Sequence, residues 1–280
     1  MGDSIGLAQL TVHLESLVEG NPGFSGADLL DALETEGSPL ANQIRDVAER
    51  PELRKSWGWS SNIDSGAKVP VVVPGLLMAL GEAAGLGGAK KDKDGGLFHA
   101  GILHTYGYLL SNVETPFGQK RDRWCQGNLA RGLGLPESFL SPEPSSGSLF
   151  ENVTAVFSEV LGESSLGLLP SSVTDGHQLV EVLSEEEEVE LVTVLLSFPE
   201  APRKAKETVA LFYAIRERGQ LRYITVFPTG GWVLKKLKKS ASPPADGAWR
   251  NATLRYNARM PGKPGPFPVS EVRWEAWQRA

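Results

Sequence analysis

The stretch TVALFYAIRERGQLRYITVF, residues 208–227, decides the fold class. Two apolar runs rich in β-branched and aromatic residues, 208–216 and 221–227, flank Gly219 and Gln220, which is typical of a β-hairpin. Both runs are apolar on both faces at their centres, so the sequence predicts a sheet that is covered on both sides.

Further strand-like runs lie on either side of this hairpin. Residues 179–183 and 189–198 are separated by an acidic turn, and residues 252–259 alternate apolar and polar side chains as a half-buried strand does. Regular alternation of strands with helices is absent. We therefore predict an α+β protein with a mainly antiparallel sheet, flanking helices and a helical N-terminal region.

The N-terminal helices are predicted from spacing and capping signals. Residues 8–18 place leucines and a valine at helical spacing, and Ser25 with Asp28 forms a capping-box pattern before a second apolar run. A third helix is predicted from Ser38 to about residue 49, with Pro39 in its first turn.

Four shorter elements complete the prediction. Residues 102–110 are expected to form a strand, and residues 232–239 a short helix with four lysines. Trp274 and Trp277, three residues apart, predict a C-terminal helical turn. Residues 85–96 are polar and flanked by glycines, which is typical of a loop.

Composition changes along the chain predict three segments. Residues 1–56 form the helical N-terminal region, and residues 57–147 an α+β segment with the candidate site. Residues 148–280 form a sheet-rich, basic C-terminal part after a turn-rich linker at 141–147. The last two segments are also compatible with one continuous domain.

The charge distribution indicates an anionic partner. The net charge of −6 over 280 residues hides an asymmetry, because residues 159–202 carry ten acidic and no basic side chains. Residues 203–280 carry 16 basic and five acidic side chains. A basic C-terminal part favours a phosphate, carboxylate or nucleic-acid ligand. The alternative is that the acidic and basic segments lie together and neutralise each other.

Several classes of protein are disfavoured by composition. The single Cys125 excludes an intrachain disulfide or a multi-thiolate metal site. The N-terminus carries Asp3 where a signal peptide needs positive charge, and the longest apolar stretch, 69–80, is too short to span a bilayer. We expect a cytoplasmic protein without membrane contact; a homo-oligomer is compatible with the sequence.

The first candidate site is His104-Thr-Tyr106-Gly-Tyr108. On a strand, these three side chains would share a face, and an imidazole beside a phenol can act as an acid–base pair. We assign His104 and Tyr106 as candidate catalytic residues, with Tyr108 contacting substrate. The alternative is a half-buried histidine packed between two tyrosines.

The second candidate site is the cationic turn Lys120-Arg121-Asp-Arg123. Three cations within four residues cannot all be buried cheaply, and guanidinium groups match carboxylate or phosphate oxygens. The turn follows the predicted strand of His104, so both sets are expected in one pocket. Alternatively, Asp122 pairs with one cation and the turn is solvated.

A third set lies on the polar face of the predicted strand 252–259. Arg255, Asn257 and Arg259 would stand roughly 7 Å apart, as a cradle for an extended anion. A solvent-facing row on an edge strand would have the same pattern.

Three functions fit these residues. The first is a cofactor-independent hydrolase, lyase or isomerase acting on a small anionic molecule, because no nicotinamide, flavin or metal motif is visible. The second is a nucleic-acid-binding or ribonuclease-like protein that uses the basic C-terminal sheet. The third is a non-catalytic interaction protein that recruits a partner through its acidic and N-terminal helical segments.

Overall fold

The computed structural model describes most of the chain. The described residues are 3–64, 66–87, 97–116, 118–183, 186, 188–199, 206–242, 251–252, 254–260, 262–263 and 265–279. The loop predicted at 85–96 lies outside these ranges from residue 88 onward. Within them, every helix is too short or too polar to cross a membrane.

The described strands belong to three antiparallel sheets. They are β1 (Trp59–Ser61), β2 (Leu97–His99), β3 (Glu114–Thr115), β4 (Gly118–Gln119), β5 (Gly176–Leu183), β6 (Val189–Ser197), β7 (Val209–Glu217), β8 (Gln220–Thr229), β9 (Ala258–Arg259) and β10 (Val269–Ala276). The largest sheet has the order β10-β5-β6-β7-β8, a second has the order β2-β1-β9, and β3 pairs with β4.

The predicted hairpin is the centre of the large sheet. Strands β7 and β8 pair from Glu217 opposite Gln220 to Val209 opposite Thr229, with a bulge after Tyr213. The first seven residues of β7 are all buried, so neither face of the sheet is open to water there. The prediction of a covered antiparallel sheet is therefore confirmed.

Helices surround this sheet and form the N-terminal region, as predicted. They are α1 (Asp3–Gly20), α2 (Gly26–Thr35), α3 (Leu40–Glu49), α4 (Pro51–Lys55), α5 (Pro74–Ala83), α6 (Ala100–Ile102), α7 (Asp122–Cys125), α8 (Asn128–Gly132), α9 (Leu149–Val160) and α10 (Trp232–Ser240), with a π-helical turn at Leu103–Gly107 and a 3-10 turn at Glu137–Leu140. The capping box of Ser25 and Asp28 opens α2.

The strand predicted at residues 102–110 is wrong. This segment continues α6 as a π-helical turn, and all its residues are buried. Alternation along a strand would leave one polar face, whereas here Thr105 and Gly107 are as buried as His104 and Tyr106. A helix satisfies its own backbone hydrogen bonds, which suits a segment enclosed by side chains on every side.

Two C-terminal predictions are also corrected. The strand predicted at 252–259 is reduced to Ala258–Arg259, because Tyr256 and Asn257 have φ angles of 53° and 61° and turn the chain. The predicted helical turn is instead the end of β10, where Trp274 pairs with Leu179 of β5. The Trp277 indole donates to the Val160 carbonyl at 2.8 Å, which ties the chain end to α9.

The hydrophobic core contains residues from all three predicted segments. Leu33, Tyr106 and Phe212 belong to the same buried cluster. Trp57 meets Phe157 of α9 edge to face, with ring centroids 4.9 Å apart. The division of the chain into three segments stays a prediction.

Candidate functional site

His104 lies in the π-helical turn, with both ring nitrogens bonded inside the protein. Its Nδ1 donates to the Ile224 carbonyl oxygen, which can only accept. The Nε2 of the neutral ring therefore accepts from the Ser60 hydroxyl, 3.1 Å away. Burial lowers the pKa of His104 to about 3, with the charges of Arg123 and Lys120 acting in the same direction and the bond to Ile224 in the opposite one. The imidazole is thus neutral at physiological pH.

Tyr106 points away from His104, because residues two apart on a helix do not share a face. Its hydroxyl donates to Gln43 of α3 at 3.0 Å and accepts from the Phe150 amide of α9 at 3.4 Å. Burial raises the pKa of the Tyr106 phenol. The structure therefore separates the two predicted catalytic side chains, and Tyr106 links two helices.

Tyr108, four residues after His104, does lie beside it. Their ring centroids are 4.9 Å apart. The Lys120 ammonium lies 5.8 Å from the centroid of the Tyr108 ring. Burial raises the pKa of the Tyr108 phenol, while the charge of Arg123 opposes this shift. His104, Tyr108, Lys120 and Arg123 therefore form one cluster, which we call the Arg123 cluster.

Lys120 forms a buried ion pair within the Arg123 cluster. Its Nζ lies 3.1 Å from Oδ2 of Asp64, and both side chains are less than a tenth exposed. The other oxygen of Asp64 accepts from the amides of Gly66 and Ala67. Burial and the nearby Arg123 lower the pKa of Lys120, and Asp64 acts in the opposite direction. The ammonium is therefore already held by a carboxylate.

Arg123 has free hydrogen-bonding capacity in this cluster, and so has the hydroxyl of Tyr108. Its guanidinium is half-buried and stacks on Phe227 of β8, with Cζ 4.4 Å from the ring centroid. Among the described residues, none accepts a hydrogen bond from this guanidinium or forms an ion pair with it. Burial lowers the pKa of Arg123, whereas Tyr108, Glu207 and Asp64 raise it.

Arg121 lies outside the Arg123 cluster. Its side chain is 2% exposed and donates to Gln119 at 3.1 Å and to Asn112 at 2.8 Å. Asn112 in turn donates to Glu15 of α1 at 3.3 Å. Arg121 therefore holds the loop before α7 against α1, although it is separated from Arg123 by one residue only.

The third predicted set is not a row of side chains on a strand. The Arg255 guanidinium pairs with the buried Glu181 and donates to Thr193 at 3.1 Å, over the large sheet. The Asn257 carbonyl accepts from the Ser61 amide at 2.7 Å. Arg259 lies in β9 and donates to the Ala258 carbonyl. The turn at Tyr256 and Asn257 directs these groups to different places.

Four arginines of the basic C-terminal part are paired with the acidic segment. Arg255 binds Glu181, Arg279 binds Glu159 at 2.8 Å, and Arg273 binds Glu190 at 3.1 Å. Glu190 also pairs with Arg216 of β7. These pairs follow the alternative in which the two segments neutralise each other, and they reduce the number of arginines available to a ligand.

Sequence reasoning missed three residues that contact the Arg123 cluster. Ser60, Asp64 and Phe227 come from β1, the loop after it and β8, far from residue 123 in sequence. Only Asp64 carries a local signal, since an aspartate two residues before a glycine is typical of a turn in which the side chain binds backbone amides.

Across the described ranges, no three His, Cys, Asp or Glu side chains lie close enough to share a metal ion. Comparison of the chain with protein-family models, curated proteins and solved structures gave no match.

Proposed function

We propose that this protein binds a small organic anion, a carboxylate or a phosphate ester, through the guanidinium of Arg123. The observation that carries the proposal is the state of this side chain. It is half-buried and stacked on Phe227, yet it has no acceptor among the described residues. Its nitrogens are not sealed from solvent, and an anionic ligand would supply charge-assisted hydrogen bonds in place of those to water.

The neighbours of Arg123 suit such a ligand. Stacking on an aromatic ring fixes the guanidinium plane and leaves its edges free for two parallel hydrogen bonds to one anion. Lys120 adds positive charge, partly cancelled by Asp64. Tyr108 lies near enough to Arg123 to influence its pKa. Glu207 also influences this pKa, so it would repel a ligand that carries several charges.

Acid–base catalysis by His104 and Tyr106 stays a prediction from the sequence. Hydrolysis, elimination or isomerisation by His104 and Tyr106 requires both groups to reach one substrate. His104 uses both ring nitrogens in the interior, and Tyr106 is bonded to Gln43. The geometry supports anion binding by Arg123 better than acid–base chemistry by this pair.

The test is thermal unfolding of the wild-type protein with a panel of carboxylates and phosphate esters. Arg123→Gln removes the proposed anchor, and Arg131→Gln is the matched control because Arg131 is exposed on the neighbouring α8 and pairs with Glu137. A ligand at a hundred times its Kd stabilises by about 2.7 kcal/mol. For a chain of this length the Tm should rise by roughly 5 °C.

We expect the rise in the wild-type protein and in Arg131→Gln, and its loss in Arg123→Gln. Without ligand, Arg123→Gln should unfold within about 1 kcal/mol of wild type, since it loses one stacked cation and no hydrogen bond. An equal rise in all three proteins would place the ligand elsewhere. A panel that stabilises none of them would refute the proposal.

A further inference from the structure

The helix α10 presents a basic face with an exposed tryptophan. Trp232 is 60% exposed. Among the large apolar side chains of the described ranges, only Val12 is as exposed. Lys235, Lys236, Lys238 and Lys239 are exposed on the same helix. Opposite them, Val233 and Leu237 are buried in the protein.

Helical spacing places Trp232 and three of these lysines on one face. Lys235, Lys236 and Lys239 follow Trp232 by three, four and seven residues, which are the intervals that align side chains along a helix. The Lys236 ammonium lies 5.9 Å from the centroid of the Trp232 ring. We call Trp232, Lys235, Lys236 and Lys239 the α10 face.

The positive charge of this face is not neutralised within the described part of the chain. None of the lysines of α10 forms an ion pair there, whereas arginines of the same basic segment pair with glutamates. The sequence holds no Asp or Glu between Arg218 and Ala245. The α10 face is therefore a solvated patch of uncompensated charge around one aromatic ring.

We infer that the α10 face binds single-stranded nucleic acid without sequence preference. Lysine ammonium groups contact backbone phosphates as point charges, and an exposed indole offers a surface on which a base can stack. Charge complementarity and the isolated tryptophan together favour this partner. An anionic membrane fits less well, because a membrane-bound amphipathic helix inserts its apolar face, and in α10 that face is already packed in the core.

The test is fluorescence anisotropy of a labelled oligo(dT) titrated with the protein over a range of salt concentrations. Trp232→Ala should weaken binding about tenfold, within the range for loss of one stacked base. The triple variant Lys235→Gln, Lys236→Gln, Lys239→Gln should lower the dependence of log K on log salt by about 2, since each phosphate contact on a single strand contributes about 0.7.

A matched control removes three exposed cations elsewhere: Lys55→Gln, Lys68→Gln and Arg218→Gln. It should bind oligo(dT) within about twofold of wild type, because a general change of net charge is screened at physiological salt. Circular dichroism of each variant shows whether it is folded. Arg123→Gln should also bind oligo(dT) with wild-type affinity. The nucleic-acid inference and the small-anion proposal can therefore be refuted independently.

Three results would overturn the inference. The first is oligo(dT) binding that is unaffected by Trp232→Ala and by the triple lysine variant. The second is an equal loss of oligo(dT) affinity in the control variant, which would show that binding depends on net charge alone. The third is binding to phosphatidylserine vesicles through Trp232 with no binding to oligo(dT), which would assign the α10 face to a membrane.

Discussion

The substitution His104→Ala tests whether the imidazole is buried and supports the fold or is accessible to a substrate. The imidazole is 3% exposed and bonds to Ser60 and to the Ile224 carbonyl. It also packs on Tyr108. Removing the ring leaves a cavity between the π-helical turn and β8, and two polar groups without their partner.

The expected cost follows from these two effects. Removing a large buried side chain costs about 2–5 kcal/mol, and a buried polar group left unpaired costs about 1–3 kcal/mol. The effects overlap, because water entering the cavity can satisfy part of the lost hydrogen bonding. We expect His104→Ala to lower the free energy of unfolding by about 3–5 kcal/mol. Ser60→Ala, which removes one hydroxyl only, should cost about 1 kcal/mol.

Urea unfolding followed by tryptophan fluorescence measures this difference. The midpoint should fall in His104→Ala while the slope stays at the wild-type value. His13→Ala is the matched control, since the His13 side chain is 49% exposed and its Nε2 lies 3.9 Å from Glu36. A loss below about 1 kcal/mol would refute the buried position of His104. It would return the residue to the candidates for acid–base chemistry.

Two further predictions concern the same core. The folded-state pKa values of His99 and His104, about 4 and about 3, lie below their ordinary value of 6.5. The contribution of these neutral rings to the free energy of unfolding is fully present above about pH 6.5, and it is lost as the pH falls toward the folded-state pKa values. Between about pH 7 and about pH 5, unfolding by urea should therefore become easier by about 4 kcal/mol in total; an unchanged midpoint would contradict this burial. Gly101→Ala places a Cβ 2.4 Å from the Trp57 ring and should lower the free energy of unfolding by about 1–3 kcal/mol. In Gly107→Ala the Cβ meets nothing closer than 3.3 Å, so the loss in the same assay should be less than about 1 kcal/mol. Equal losses in the two variants would refute this difference in packing.

The large sheet was predictable because its signals are local. The runs at 208–216 and 221–227 are apolar throughout, and the glycine at 219 takes a φ of 77° that other residues rarely adopt. The helix α2 was predictable for the same reason, since its capping box lies within four residues. Each of these patterns determines its structure without reference to distant parts of the chain.

The candidate site was predictable only in part, because its contacts are distant in sequence. His104 was found as a polar residue of interest, but its bonds to Ser60 and Ile224 cross 44 and 120 residues. The apparent alternation of residues 104–108 indicated a strand, and burial on every side made the segment helical instead. Arg121 and Arg123 have the same chemistry and neighbouring positions, yet one faces Asn112 and the other Phe227.

The ion pairs show which basic side chains of the C-terminal part are available to a ligand. Among the described residues, four arginines of the basic segment pair with glutamates of the acidic one, whereas the four lysines of α10 form no ion pair. Arg123, which precedes both segments, adds a separate cation on an aromatic ring. A half-buried guanidinium stacked on a ring suits one small anion, and exposed ammonium groups suit the successive phosphates of a nucleic-acid strand. Binding at Arg123 should therefore depend weakly on salt and binding at α10 steeply, because only the second releases several counterions.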